Sequence, residues 1–362
     1  MTLPPISTSQ AASLRGPVLA LDLGGTHLRT AVVDAHGTVH GRQHNRTAMD
    51  AGAEAVIALA TSSLRASLAE YAAANPQPPI GVGISAPGPL DPGLGILVDP
   101  PNLPRDFWGL ALGPRIGEAL GLPWALERDT NVAILAEHAF GAGLGLSDIV
   151  YVTVSTGIGG AVISDGRLIK GPDGAAGELG HLTVDMNGPQ CSCGGRGHLE
   201  RMSSGSGMAR TAREALDAGE SAPELARIAE QMAPLPLEAR HVSEAAAAGD
   251  AVAMRIVENA RRAFAASAVS IVDVFNPQRI IVGGGITLAW GDELLGPARD
   301  LVAATAFRLQ ARRVEIVPAS LGDDVGLIGA LPLVASVIAD RPAATQHQSQ
   351  TQILSPVAAR TG

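Results

Sequence analysis

The chain carries the same run of elements twice. VLALDLGGTHLRTAVVDAHG begins at Val18, and IVYVTVSTGIGGAVISDG begins at Ile149. Each reads as an apolar strand, a Gly/Thr turn, a second apolar strand and a turn ending in glycine. A repeated α/β unit predicts a duplicated fold with a cleft between its halves. With 362 residues there is enough chain for two such units and their cores.

The remaining elements fit this frame. Val18–Leu23 is a strand stopped by Gly24-Gly25, and Leu28–Val33 is the second, followed by an Asp34–Gly37 turn. Ala51–Ala74 has helical apolar spacing and stops at Asn75-Pro76. Ile80–Ser85 is a strand running into the Ala86–Pro89 loop. Trp124–Leu126 is a short strand and Val132–Phe140 a helix. Asp250–Phe275 is a long amphipathic helix with Val252, Ile256, Ala260, Ala263, Val269 and Val272 on one stripe. Arg279–Val282 is a strand entering Gly283-Gly284-Gly285. The expected layout is a flexible leader at 1–16, a smaller α/β domain at 17–126 plus 320–338, and a larger one at 127–319. A disordered tail is expected at 341–362.

Composition removes several function classes. Asp and Glu number 35 against 26 Lys and Arg, a net charge of −9, which argues against a nucleic-acid surface. No apolar run reaches the ~18–20 residues of a membrane span. The N-terminus lacks a basic region followed by an apolar core, so no secretory signal is read. Two cysteines one residue apart make no disulfide framework and fit a reducing cytoplasm.

Three glycine turns follow apolar strands: Gly24-Gly25-Thr26; Gly157-Ile158-Gly159-Gly160 after Thr156; and Gly283-Gly284-Gly285. Glycine there lets backbone N–H groups approach phosphate oxygens. None is a Walker A or GxGxxG motif. One such turn is ordinarily a hairpin; three favour a nucleotide at a cleft. Asp22, at the end of the first strand, is open between holding Mg2+ through water and bonding the turn's own amides. Asp129, before a helix, reads as a helix cap.

The segment Gly177–Glu200, GELGHLTVDMNGPQCSCGGRGHLE, holds both cysteines. Cys191 and Cys193 are too close in sequence for an easy disulfide. With His181 and His198 they offer four N/S donors, the number a closed tetrahedral zinc site needs. Gly194, Gly195 and Gly197 would let the backbone wrap an ion. A glycine loop with free thiols is the alternative. Glu178 and Glu200 flank the four donors.

The ordered set of DLGGT at Asp22–Thr26, APGPLD at Ala86–Asp91, Asp129–Asn131, STGIGGA at Ser155–Ala161, AGELGH at Ala176–His181, CSCGGRGHLE and NPQRIIVGGG at Asn276–Gly285 resembles the ROK family of repressors, open reading frames and sugar kinases. The resemblance covers about residues 18–335. It implies an α/β, actin-like (ribonuclease H-like) duplicated two-domain sugar kinase fold with a central cleft. It further implies phosphorylation of a hexose 6-hydroxyl by ATP with Mg2+, or by polyphosphate, and a homodimer or homotetramer. On this resemblance Asp129 is the catalytic base. Asn102, Glu178, His181 and Glu200 bind sugar, with Arg128 at the same site. Asp22, Gly24, Gly25, Thr26, Thr156, Gly157, Gly159, Gly160, Gly283, Gly284 and Gly285 hold the nucleotide. His181, Cys191, Cys193 and His198 hold structural zinc.

Three positions depart from the family pattern. His198 stands for a third cysteine, and His27 for the usual lysine-like residue after DLGGT. Arg128 stands where asparagine is common; arginine only donates, and it is open to pairing with Glu127, with a sugar-site carboxylate, or to pointing away. Glucose is the expected sugar, with N-acetylmannosamine, N-acetylglucosamine, mannose or fructose as alternatives. A sugar-responsive regulator is the alternative from another class; the 21 residues before Asp22 are short for a DNA-binding helix-turn-helix.

Overall fold

The computed structural model describes residues 16–338. Apart from Gly16, which is described and buried, the expected leader at 1–16 lies outside the described residues, as does the expected tail at 341–362. The first sheet is built from β1 (Val18–Leu23), β2 (His27–Val33), β3 (Val39–Arg46), β4 (Val82–Ala86) and β7 (Trp124–Arg128); β5 (Leu90–Asp91) and β6 (Ile96–Leu97) form a separate small hairpin. The second sheet holds β8 (Ile149–Val154), β9 (Ile158–Ser164), β10 (Arg167–Leu168), β11 (Arg279–Gly283) and β12 (Glu315–Pro318).

The two sheets have one topology. The first runs β3-β2-β1-β4-β7 and the second β10-β9-β8-β11-β12. In each, the first three strands in chain order pair antiparallel and the last two add in parallel. The echo at Val18 and Ile149 is therefore a duplication of the sheet, with Asp22 of β1 matched in position by Thr153 of β8.

Both faces of each sheet are covered, which is why the central strands are almost wholly apolar. Alternation along β1 sends Leu19 and Leu21 to one face and Val18 and Ala20 to the other. The leucine face packs on Val56, Ile57, Ala60 and Leu64 of α1 (Ala53–Ala72) and on Leu112 and Ile116 of α2 (Leu112–Leu120). The Val18 face meets a shared core with Ile149, Tyr151, Ala161 and Ile281 of the second sheet. Between the sheets lie α3 (Asp129–Phe140) and the helices Val325–Ile328 and Ala330–Ile338. These helices cross almost backbone to backbone: a methyl at Gly329 would come within 2.2 Å of the Val132 carbonyl oxygen. The far face of the second sheet is covered by the helices Gly205–Asp217, Ala251–Phe275 and Asp292–Thr305. No helix among the described residues is long and apolar enough to cross a membrane.

Several expected elements shift at their ends. Gly52, at φ +85°, starts α1 later than Ala51. His27 joins β2 and Gly283 joins β11. The largest change is at β7, which extends to Arg128 because its register with β4 continues to the Ala86–Arg128 pair. α3 then begins at Asp129, three residues before the expected start. Asp129 is the first helical residue and Arg128 occupies the cap position.

Asp250 is 3% exposed and caps two helices. One oxygen accepts from Val252 N (3.0 Å) and Ala253 N (3.1 Å); the other accepts from Glu224 N and Leu225 N, each at 3.2 Å. Losing a cap costs about 0.5–2 kcal/mol, and here two are lost. Asp250→Ala is expected to lower the melting temperature by several degrees, at about 2–4 °C per kcal/mol for a protein of this size. A melting curve unchanged from wild type would refute the double cap.

Candidate active site

The expected site residues lie where strands of the two sheets end. Asp129 sits at the junction of β7 and α3. Its Oδ1 accepts the N–H of Thr130 at 2.7 Å. The carboxylate is open to water, yet protein crowds it on the other sides. That desolvation raises its pKa. The Thr130 N–H and Arg128 oppose the rise, while the charges of Asp22 and Glu178 add to it, and the result is about 6. Asp22, Glu178 and Asp129 are thus within electrostatic reach of one another.

Asp22 is held by side chains rather than by its own turn. Its partners are Arg29, through Nε (3.1 Å) and a terminal nitrogen (2.5 Å), and the Ser85 hydroxyl at 2.9 Å. A methyl at Gly326 would come within 2.8 Å of its Cγ. The turn amides are not its partners among the described residues. The first glycine turn is a tight hairpin, with Gly24 N donating to His27 O at 2.8 Å and the Thr26 carbonyl accepting Thr47 N at 2.8 Å. Asn102 lies beside it, its carbonyl oxygen 3.9 Å from where a Cβ on Gly25 would be.

The second glycine turn collects more of the site. A methyl at Gly159 would stand 2.6 Å from Thr130 Cγ2, so the start of α3 rests on β9. A methyl at Gly157 would come within 2.8 Å of Glu200 Oε2, the oxygen that also accepts Ile158 N at 3.0 Å. Thr156 stays exposed, and its carbonyl accepts Ser206 N at 3.0 Å. The third turn packs against the second repeat: a methyl at Gly284, φ +92°, would meet the Val154 carbonyl at 2.4 Å. Gly283 is buried and Gly285 exposed.

Arg128 pairs with Glu178, which disposes of the Glu127 alternative. Its terminal nitrogens also reach the Ala176 carbonyl and, at 3.5 Å, Asn131 Oδ1. Glu127 is fully buried, and Lys170 Nζ lies 2.6 Å from its Oε2. Glu127 Oε1 accepts the N–H of Arg128 and the amide of Asn131, each at 3.0 Å. Lys170 was not expected at the site, and no local motif marks it; Thr130 and Asn131 lie in the Asp129–Asn131 element but were given no role there.

His181, Cys191, Cys193 and His198 converge, one donor atom from each lying within 4.8 Å of the others. His181 Nδ1 and His198 Nδ1 are 3.3 Å apart, and Cys193 Sγ is 3.2 Å from His198 Nδ1. Zinc–nitrogen bonds of ~2.0–2.1 Å set tetrahedral edges at about 3.3–3.4 Å, so the histidine pair has such a spacing and the four donors fit that ion in number and type. The glycines act as expected. Gly194 and Gly197 have φ of +96° and +60°, and a methyl on Gly195 would stand 2.2 Å from the His198 ring.

Comparison with known proteins agrees with this geometry. The ROK family model matches residues 18–337. The chain belongs to the ROK family. It is 35% identical over 325 residues to a glucokinase of Thermotoga maritima, covering 90% of this chain and 98% of that one. The ROK hexokinase structure from Thermus thermophilus superposes with a TM-score of 0.73 at 32% identity, covering 89% and 99% of the two chains. A ROK glucokinase from Streptomyces griseus, solved with glucose and AMPPNP, gives 0.69 at 31% identity, covering 88% and 99%. The two matching sheets are the duplicated sugar-kinase fold of this family.

The donor cluster of this ROK chain carries a direct test. Protein purified without added metal is expected to hold about one metal ion per chain by elemental analysis. Cys191→Ser with Cys193→Ser should remove it, since thiolates are half of the set. Folded protein with metal content near zero would refute the site.

Proposed function

We propose that this chain is an ATP-dependent hexose kinase acting on the sugar 6-hydroxyl, with glucose as the first candidate. The observation that carries the reading is Asp129: a carboxylate open to water at the helix start, within electrostatic reach of Asp22 and Glu178, with a pKa near neutrality. A general base works best with its pKa near the working pH.

In this reading Asp129 takes the proton of the 6-hydroxyl as that oxygen bonds to the γ-phosphorus. The bond from phosphorus to the bridging oxygen of ADP breaks, and ADP leaves with that electron pair. Such transfer depends mainly on alignment and charge neutralisation. Mg2+ bound with ATP supplies part of that neutralisation, with Asp22 as its nearest carboxylate candidate. The three glycine turns offer backbone donors to the phosphates. Glu178, Glu200, Asn102 and His181 hold the sugar hydroxyls; carboxylates make strong, directional hydrogen bonds to them. Zinc on His181, Cys191, Cys193 and His198 stiffens the loop between the two glutamates. The identities to a glucokinase and a hexokinase support the sugar class.

Two outcomes follow. Asp129→Asn is expected to lower kcat by about 10²-fold or more, the scale of a lost general base; near-normal turnover of a glucose panel with ATP would refute the role. In wild type, kcat/KM is expected to fall about tenfold per unit as pH drops below the Asp129 value of about 6, because only the ionised carboxylate accepts a proton. The stability sign is opposite. A folded pKa above the unfolded value of 3.8 means that the fold binds extra proton between those values, so this group's contribution to stability declines as pH rises through that window. Asp129→Asn should therefore melt no lower than wild type at pH 7 while losing activity. A pH profile flat between 5 and 7 would remove the assignment.

A further inference from the structure

Glu127 and Arg128 are neighbours at the end of β7, so their side chains leave opposite faces of the strand. Both are buried, and each grips one end of the same glycine-rich stretch. Lys170 reaches Glu127 at 2.6 Å, while Arg128 holds the Ala176 carbonyl and Glu178. The Lys170 carbonyl accepts Ala176 N at 2.9 Å, closing the loop between the two grips. The stem of Arg128 runs beneath the Ala86–Pro89 loop, where a methyl on Gly88 would come within 2.9 Å of its Cδ.

The two members of the Arg128–Glu178 pair differ in what they offer a ligand. The Arg128 side chain is 6% exposed, and both of its terminal nitrogens are bound to protein. Glu178 is 50% exposed, with one oxygen held by the arginine. The buried Nε of Arg128 has no partner among the described residues. A desolvated guanidinium with an unmade hydrogen bond is a poor stabilising device.

We propose that Arg128 is a positioning residue for the acceptor sugar: it does not touch the sugar, but fixes Glu178 so that its second oxygen reads one hydroxyl and narrows the range of hexoses accepted. The proposal rests on the hexose kinase reading. A carboxylate locked in one orientation discriminates because an epimer or analogue leaves its buried hydrogen bond unmade. The phosphate turns do not touch Arg128, so the donor side should be spared.

Arg128→Asn, Arg128→Lys, Glu178→Gln and the double variant Arg128→Asn/Glu178→Gln test this, with glucose, mannose and their 2-acetamido analogues as substrates. Arg128→Asn is expected to raise KM for the preferred sugar about tenfold, the scale of a lost charged hydrogen bond. Its kcat should stay within about threefold and KM for ATP unchanged, a split that marks lost binding rather than lost chemistry. Preference among the sugars should flatten. Arg128→Lys keeps the charge without the two-armed fork and should recover part of the loss. In the Glu178→Gln background, Arg128→Asn should add less than about threefold, because the two act as one unit. A merely structural arginine would instead lower the melting temperature and disturb sugar and ATP parameters together. If Arg128→Asn does not fold, Arg128→Lys decides, with a smaller rise in sugar KM expected. An unchanged sugar KM and preference in the folded variants, or fully additive effects with Glu178→Gln, would overturn this proposal alone. A wild type that phosphorylates no hexose would overturn both it and the reading beneath it.

Discussion

The site depends on side chains that are missing from the Gly157–Gly160 turn at the start of β9. Gly157 leaves room for the Glu200 carboxylate, Gly159 for Thr130 and Gly160 for Leu179, whose Cδ1 and Cγ would each lie 2.5 Å from a Cβ there. From the opposite side, Gly180 lies against the Ile158 carbonyl, 2.1 Å from its own absent methyl. Three pieces of the site therefore meet the second glycine turn: the start of α3, the turn after Glu178 and the helix start at Glu200. Close-packed interiors transmit small displacements, so one added methyl here would move several groups at once. Glycine in this turn suits phosphate approach, but its contacts in the fold are with protein.

Charge is arranged around the same junction with a similar economy. Asp22 has Arg29, Glu127 has Lys170 and Glu178 has Arg128. Glu200 takes a backbone amide. Asp129 has the single Thr130 N–H and only a more distant pull from Arg128. The Asp129 pKa climbs chiefly through desolvation, and the charges of Asp22 and Glu178 add to the rise. A carboxylate so placed is suited to taking up a proton near neutral pH.

What was legible in the sequence is what is local. Strands with their glycine turns depend on neighbours in the chain, so the duplicated sheet could be read from two short segments. The four metal donors lie between His181 and His198, and their convergence needed only a glycine-rich loop. What was not legible depends on register and long-range contact. Asp129 reads as a cap until β7 is paired with β4, which carries the strand to Arg128 and makes Asp129 the first helical residue. Lys170 has no motif, and its partner Glu127 is identified only when β10 brings the chain back to the end of β7. The double cap at Asp250 joins helices whose pairing is invisible in either one alone.

The metal-donor cluster and the two glutamates that flank it are linked by chain, but they are not held by the same forces. Glu178 precedes His181 by a short turn, and Glu200 follows His198 at the start of the next helix. Each glutamate has an anchor of its own, Arg128 for one and Ile158 N for the other. The excursion between them is also closed at its base, where Thr183 pairs with His198 and the Gly197 N–H and carbonyl bond the chain at Pro189, Val184 and Asp185. A metal on four donors at the two ends and tip of this excursion fixes the distance between the anchored ends. Its contribution would be spacing: a bound metal would restrict the loop and hold Glu178 and Glu200 at a constant separation. Direct anchors set where each carboxylate points, and the closed loop sets how far apart they stand; a rigid sugar ring, the ligand proposed for them, would require both.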